Sequence, residues 1–180
     1  MTGYALILFD TSLGRCGIAW GPAGIRAVSF PHKDDAATVK QLRRHAPAGV
    51  ETDAPPDDIT RVIADIVALF AGEARDLSYV RLDMNDVGGF ERDVYTLSLA
   101  IKPGEAKTYG DLARALGDVS LSRRVGQALG RNPFPIIVPC HRIVGASGAM
   151  TGFSAPGGAE LKRKLLKIEG ALALELFDAL

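Results

Sequence analysis

The sequence predicts a mixed α/β (α+β) protein, with a small sheet-bearing N-terminal domain over residues 1–87 and a mainly helical C-terminal domain over residues 88–180. Three observations predict it. Short apolar runs alternate with turn residues over the first thirty positions, and apolar residues recur at helical spacing between Ile59 and Phe70. Beyond Val87 the chain breaks into short amphipathic segments punctuated by capping residues and glycine. A length of 180 residues accommodates one large or two small domains.

Ala5–Phe9, Cys16–Trp20 and Ile25–Phe30 are separated by Ser12-Leu13-Gly14 and Gly21-Pro22-Ala23-Gly24, the pattern of an antiparallel meander. Asp34 to His45 reads as a helix whose basic end suits the dipole. After a loop over Pro47–Pro56, Asp57 or Asp58 is placed to cap a helix reaching about Phe70. Asp76–Asp86 reads as a short strand and linker, which puts the boundary near Val87. Phe90, Val94, Leu97, Ser98 and Ile101 then share one helix face, and Pro103-Gly104 ends it.

Thr108 is positioned to cap Tyr109–Leu116, closed by Gly117, and Ser120 or Ser122 to cap a helix running to Leu129 or Gly130. Two short helices joined by a turn of about three residues have the shape of a helix-turn-helix, although packing alone also produces such pairs. Asn132-Pro133-Phe134-Pro135 forms a rigid loop before a strand-like Ile136-Ile137-Val138. A glycine-rich stretch, Gly145–Gly158, precedes a last amphipathic helix from about Ala159 to Ile168.

An apolar content of 47% with 23% charged residues is ordinary globular composition. The apolar start Tyr4–Phe9 is broken by Asp10, far short of the ~20 residues of a membrane span, so a soluble, cytoplasmic protein is expected. Two cysteines, Cys16 and Cys140, are too few for a disulfide framework or a structural zinc site, and His32, His45 and His141 are scattered. Metal is therefore not expected. The net charge is zero, yet residues 1–87 hold nine basic against twelve acidic side chains and residues 88–180 the reverse, so a polyanion would favour the second half. Asp10, Asp34, Asp35, Asp57 and Asp58 read as turn formers and helix caps rather than metal carboxylates.

The chemistry concentrates in Pro139-Cys140-His141-Arg142. A free thiol ionises at about pH 8.5, and a buried one later, so Cys140 needs a base to take its proton as it attacks. His141 is adjacent. Neighbouring side chains on a strand face opposite ways, so His141 would need a turn or a bridging water to reach it. A third group should orient the imidazole, and Glu169 at the end of the last helix is the candidate. The same residues are also compatible with a strand end bearing a buried cysteine and a surface histidine.

Ile136-Ile137-Val138-Pro139-Cys140-His141-Arg142-Ile143-Val144 resembles the active-site signature of the O6-alkylguanine-DNA alkyltransferases, the methylated-DNA–protein-cysteine methyltransferases. Lys107–Ala113 and Ser122–Gly126 resemble the two helices of that family's helix-turn-helix. Gly130-Arg131-Asn132-Pro133, Gly148, Thr151–Ser154 and the Lys162, Leu165, Leu166, Glu169, Gly170 pattern extend the likeness across residues 88–170. The resemblance implies an RNase-H-like mixed N-terminal domain without nuclease activity. It also implies a cytoplasmic, monomeric repair protein that accepts an alkyl group from O6-alkylguanine, with O4-alkylthymine as a further candidate substrate, in double-stranded DNA.

Carried over to this sequence, the family's roles make Cys140 the once-only acceptor and His141 its base through a water. Glu169 orients His141, and Asn132 braces the turn. Tyr109 helps rotate the nucleotide, Arg123 takes the vacated space, Arg124 faces phosphate, and Gly126 permits close approach in the minor groove. Ile143, Phe153 and Ser154 line the pocket, and no cofactor or metal is needed. Phe153 stands where many members have Tyr, the Ser154–Gly158 loop is about two residues longer than the commonest form, and Tyr95 replaces a common tryptophan. Three other readings remain open at this stage: a damage sensor that binds without repairing, a transcription regulator, and a cysteine hydrolase.

Overall fold

The computed structural model describes residues 3–171. It divides into two compact units, the first residues 3–86 together with Pro133–Ile137, the second Val87–Asn132 together with residues 138–171. Five residues from the middle of the second half thus belong to the first unit, which no single cut along the sequence anticipates.

The first unit carries a four-stranded sheet. β1 (Ala5–Thr11), β2 (Gly14–Gly21) and β3 (Gly24–Ser29) form the expected antiparallel meander. β4 (Val50–Glu51) adds parallel to β1, for the order β3-β2-β1-β4. Gly24 has φ 128°, and a Cβ there would stand 2.4 Å from the Arg81 carbonyl oxygen, so the turn admits only glycine. That approach lets Ile25 N–H donate to Arg81 O at 2.9 Å and Asp83 N–H to Ile25 O at 2.7 Å. The strand expected within Asp76–Asp86 is accordingly a single bridge, Leu82 beside Ile25.

α1 (Asp35–Arg43) begins where the Asp34 carboxylate accepts from Ala37 N–H at 2.7 Å. It lays Val39 and Leu42 against Leu6, Ala19 and Ala27 of the sheet. α2 (Asp57–Phe70) buries Ile59, Val62, Ile66, Leu69 and Phe70, and the Phe70 ring stacks on Phe30 at 6.2 Å. Each such side chain removed from water contributes roughly 1.5–3 kcal/mol. Its N-cap is Pro56 without a side-chain bond; Asp57 and Asp58 lie in the first turn rather than at the expected cap position, where both suit the dipole and Asp58 Oδ1 accepts from Ile59 N–H at 3.0 Å.

The second unit is mainly helical: α3 (Gly89–Leu99), α4 (Tyr109–Ala115), α5 (Ser122–Gly130) and α6 (Gly158–Ile168). A parallel pair, β5 (Lys107–Thr108) with β6 (Ile143–Val144), ties the start of α4 to the segment that precedes α6. The Tyr95 hydroxyl, fully buried on α3, donates to the Ala128 carbonyl of α5 at 2.8 Å. Thr108 caps α4 as expected, in a reciprocal box with Asp111. Before α5 the cap differs from expectation. Asp118 caps a 3-10 turn, Val119–Leu121, and Ser122 Oγ donates back to Val119 O at 2.6 Å, so neither Ser120 nor Ser122 caps the helix itself.

Ile136-Ile137-Val138 is not the expected strand. Ile136 and Ile137 form a turn, with Ile136 at φ 78°, a conformation costly for a β-branched residue. Phe134, Ile136 and Ile137 are all buried, and Val28 N–H donates to Pro133 O at 2.9 Å within the first unit. Tertiary burial thus overrides local strand preference. Among the described residues no helix is long and apolar enough to cross a membrane, and no group of three metal-ligating side chains forms.

Candidate active site

Cys140 opens a 3-10 turn, Cys140–Arg142, directly after Pro139. The turn replaces the strand geometry that would have sent Cys140 and His141 to opposite faces. Asn132 spans its base, Nδ2 donating to Val138 O at 3.0 Å, and its amide also hydrogen-bonds the Cys140 thiol. Burial pushes the thiol up, while the Asn132 bond and the Lys162 charge pull it back. Cys140 remains partly accessible, unlike Cys16, which is sealed in the first unit with its thiol raised to about 11 by burial.

Behind the thiol lies a buried charged triad. His141 Nε2 is 2.8 Å from Glu169 Oε1, and the same carboxylate receives Arg142 Nε at 2.8 Å and a second guanidinium nitrogen at 2.9 Å. The third nitrogen of Arg142 donates to Ile101 O at 2.6 Å. Burial tends to raise Glu169, but His141 and Arg142 outweigh it and hold the carboxyl well below its usual range. Burial lowers His141, which the Glu169 charge only partly offsets, so the imidazole is neutral at pH 7. With Nε2 engaged by a carboxylate, the proton sits there and Nδ1 is left as an acceptor. Nδ1 is buried without a hydrogen-bond partner among the described residues.

Tyr109, at the start of α4, donates its hydroxyl to Thr151 O at 2.6 Å. A Cβ on Gly152 would lie 2.5 Å from that hydroxyl, and Gly152 has φ 75°, so glycine is required there. Gly126 differs: a Cβ would meet the Tyr109 ring at an ordinary 3.7 Å, so internal packing does not demand glycine. Ile143 is buried in β6, Phe153 is half-buried, and Ser154 is exposed with its Oγ 3.4 Å from Gly130 O.

Arg123 and Arg124 are exposed in the first turn of α5. The Arg124 guanidinium lies 3.9 Å over the Phe90 ring, whereas Arg123 makes no ion pair among the described residues. The structure therefore gathers Cys140, His141, Asn132 and Glu169 by direct contact. Tyr109, Ile143 and the Thr151 backbone are linked through Lys162, while Arg123 and Arg124 project from the start of α5 and Gly126 lies beside the Tyr109 ring.

Residues 89–171 match the family model described as "6-O-methylguanine DNA methyltransferase, DNA binding domain". The curated methylated-DNA–protein-cysteine methyltransferase of Mycobacterium bovis is 40% identical over 126 residues, 68% of this chain and 74% of that one. That of Methanosarcina acetivorans is 42% identical over 104 residues, 58% and 64% of the two chains. This chain belongs to the methylated-DNA–protein-cysteine methyltransferase family. Among solved structures, the Mycobacterium tuberculosis O6-methylguanine methyltransferase matches with a TM-score of 0.72 at 29% identity, covering 93% of each chain. The M. tuberculosis OGT crystallised with DNA matches at 0.73 and 31%, covering 97% of this chain and 99% of that one.

In this member of the methyltransferase family two cations are buried that the sequence does not mark as interior, Arg142 beside His141 and Lys162 on the last helix. Both are charged residue types that are mostly exposed, and nothing local marks them as interior. Spacing offers one usable signal: Lys162, Leu165, Leu166 and Glu169 fall on one helical face, so Lys162 shares the buried stripe.

Proposed function

We propose that the protein repairs alkylated DNA by transferring the alkyl group of O6-alkylguanine to its own Cys140, once per molecule. The observation that carries this reading is the Cys140 turn backed by a neutral, carboxylate-oriented His141 whose Nδ1 has no hydrogen-bond partner among the described residues. As Cys140 attacks, its proton passes to His141 Nδ1 through a water. The sulfur bonds to the alkyl carbon in line with the breaking carbon–oxygen bond, and the electron pair leaves on guanine O6, which is protonated in turn. The thioether product has no hydrolytic route, so the protein is consumed.

Such an attack needs the base out of the stack, at a cost of a few kcal/mol. In this reading α4 and α5 act as a helix-turn-helix lying in the minor groove. Tyr109 helps turn the nucleotide, Arg123 enters the vacated space, Arg124 lies near phosphate, and Gly126 admits the backbone closely. Gly126 supports it because nothing inside the protein requires a glycine there. Arg123 supports it as an exposed cation at a helix start, where the dipole disfavours positive charge. Ile143, Phe153 and Ser154 wall the pocket, and O4-alkylthymine is a second possible substrate for it. Residues 1–87 serve as an RNase-H-like scaffold, and a cytoplasmic monomer acting on double-stranded DNA completes the reading.

The test is intact mass after incubation with a duplex carrying O6-methylguanine. We expect a gain of one methyl per molecule, abolished in Cys140→Ala. Binding of the duplex with no change in mass would instead support the damage-sensor reading.

A further inference from the structure

Tyr95 is the largest fully buried side chain among the described residues, and it carries a hydroxyl into that interior. A phenylalanine would fill the same space with no polar atom to satisfy, so packing alone does not account for the hydroxyl. The hydroxyl reaches from α3 to the last turn of α5, donating to the Ala128 carbonyl at 2.8 Å. That carbonyl also accepts from Arg131 N–H at 3.2 Å, and its neighbour Leu129 O accepts from Asn132 N–H at 3.2 Å. The last carbonyls of a helix lack intrahelical partners, so these bonds decide how the chain leaves α5. Asn132 leaves on this turn, and its amide reaches Val138 O at 3.0 Å and the Cys140 thiol. The guanidinium of Arg131, on the same turn, pairs with Glu91 of α3 at 2.9 Å. Thus α3 holds the turn at two points. An ion pair at the surface contributes little, which leaves the buried phenol as the firmer hold.

We propose that Tyr95 is a positioning residue of the alkyl-transfer site: through the Ala128 carbonyl it fixes the turn from which Asn132 holds Val138 and the Cys140 thiol. The inference rests on the alkyl-transfer reading only for what Cys140 does. The route to the thiol runs from the hydroxyl to a carbonyl, along the chain from Ala128 to Asn132, and from the Asn132 amide to sulfur.

The charged and titratable groups around Tyr95 are Glu91 of its own helix, Arg131 beyond α5, and Cys140. Burial holds the phenol far above its usual range; Glu91 adds to this, Arg131 opposes it, and Cys140 adds again. The hydroxyl is therefore protonated, and still a donor, throughout the range in which a thiol titrates.

Tyr95→Phe deletes one oxygen and keeps the ring. Ionisation of Cys140 is followed in the folded variant by carboxamidomethylation with iodoacetamide from pH 6 to 10, Cys16 being sealed. Once the turn is released, the Asn132 amide spends less time on the sulfur, and a bond that favours the thiolate weakens. We expect the midpoint to rise by about half a unit and the rate at pH 7.5 to fall about threefold. A wild-type midpoint would overturn the proposal. Combination with Asn132→Ala separates positioning from general loosening. If Tyr95 acts through Asn132, adding Tyr95→Phe to Asn132→Ala changes the rate by less than about 1.5-fold, whereas losses that multiply would refute the route.

Hydrogen exchange in Tyr95→Phe alone remains decisive if the double variant does not fold. The backbone amides of Arg131 and Asn132 should exchange at least about tenfold faster, while those of Val125 and Gly126, earlier in α5, keep their wild-type rates. Acceleration spread evenly along α5, or none at Arg131 and Asn132, would sink the positioning role. Neither thiol alkylation nor hydrogen exchange involves alkylguanine, so each can succeed or fail independently of the repair assay.

Discussion

Glu169 receives hydrogen bonds from two residues that differ in what they demand of it. Arg142 needs a permanent negative charge, whereas His141 needs an acceptor that fixes its tautomer. Glu169→Gln keeps the shape and one acceptor oxygen for His141, but it removes the charge and turns an amide NH2 toward Arg142, leaving that guanidinium buried without a counter-charge. Breaking one side of a buried pair costs about 3–5 kcal/mol, so thermal unfolding should move down by many degrees. Methyl transfer by the surviving folded protein should slow about a hundredfold, close to the effect of losing a positioned base. A variant with wild-type melting temperature and rate would show that the triad is ornamental.

In the proposed mechanism the same residues set the acid limb of the reaction. Because burial holds His141 below 6.5 in the folded protein, it remains a usable base as pH falls past that value. Transfer measured from pH 8 to 5 should hold its plateau to below 6.5 and then decline. Stability follows the same sign. Both His141 and Glu169 bind protons less readily folded than unfolded, so their contributions are full above the unfolded ionisation range and fade as pH drops through it.

At the level of elements, the pair α4 and α5 separates what a sequence displays from what it hides. The Thr108 cap and the glycine that ends α4 were legible because capping is local chemistry, readable over three or four residues. The apolar stripe of α2 was legible because five buried positions repeat at helical spacing. Ile136-Ile137 misled because strand preference is weak information, and the burial of both side chains imposed a turn instead. Cys140, His141 and Glu169 could be named from residue type and family pattern, but the buried Arg142 and Lys162 depend on contacts 27 and 19 residues away in sequence. On α5, Arg123→Ala should slow repair of a duplex at least about tenfold. Reaction with free O6-benzylguanine should stay within about twofold of wild type, since no base then needs replacing in a stack. Equal loss on both substrates would exclude the insertion role.

For the whole molecule, the division into units has a direct bearing on which pieces can stand alone. Phe134, Ile136 and Ile137 are buried within the first unit, although they lie just upstream of Cys140 in sequence. A fragment comprising residues 87–180 would carry these apolar side chains without the residues that cover them. We expect it to bind the dye ANS, to melt with reduced cooperativity and to lose most alkyl transfer, whereas the full chain shows a single sharp transition. A fragment that folds tightly and repairs at the wild-type rate would show that the shared segment has no structural consequence.

The sealing of Cys16 gives the molecule an arithmetic of its own. With one thiol hidden in the first unit and the other partly accessible, every adduct that the native protein acquires on a thiol reports on a single address. If the proposed once-only transfer to Cys140 holds, the fraction of a population carrying added mass is a direct tally of lesions met. The pool of unmodified chains becomes a reserve that can be read without any enzyme assay.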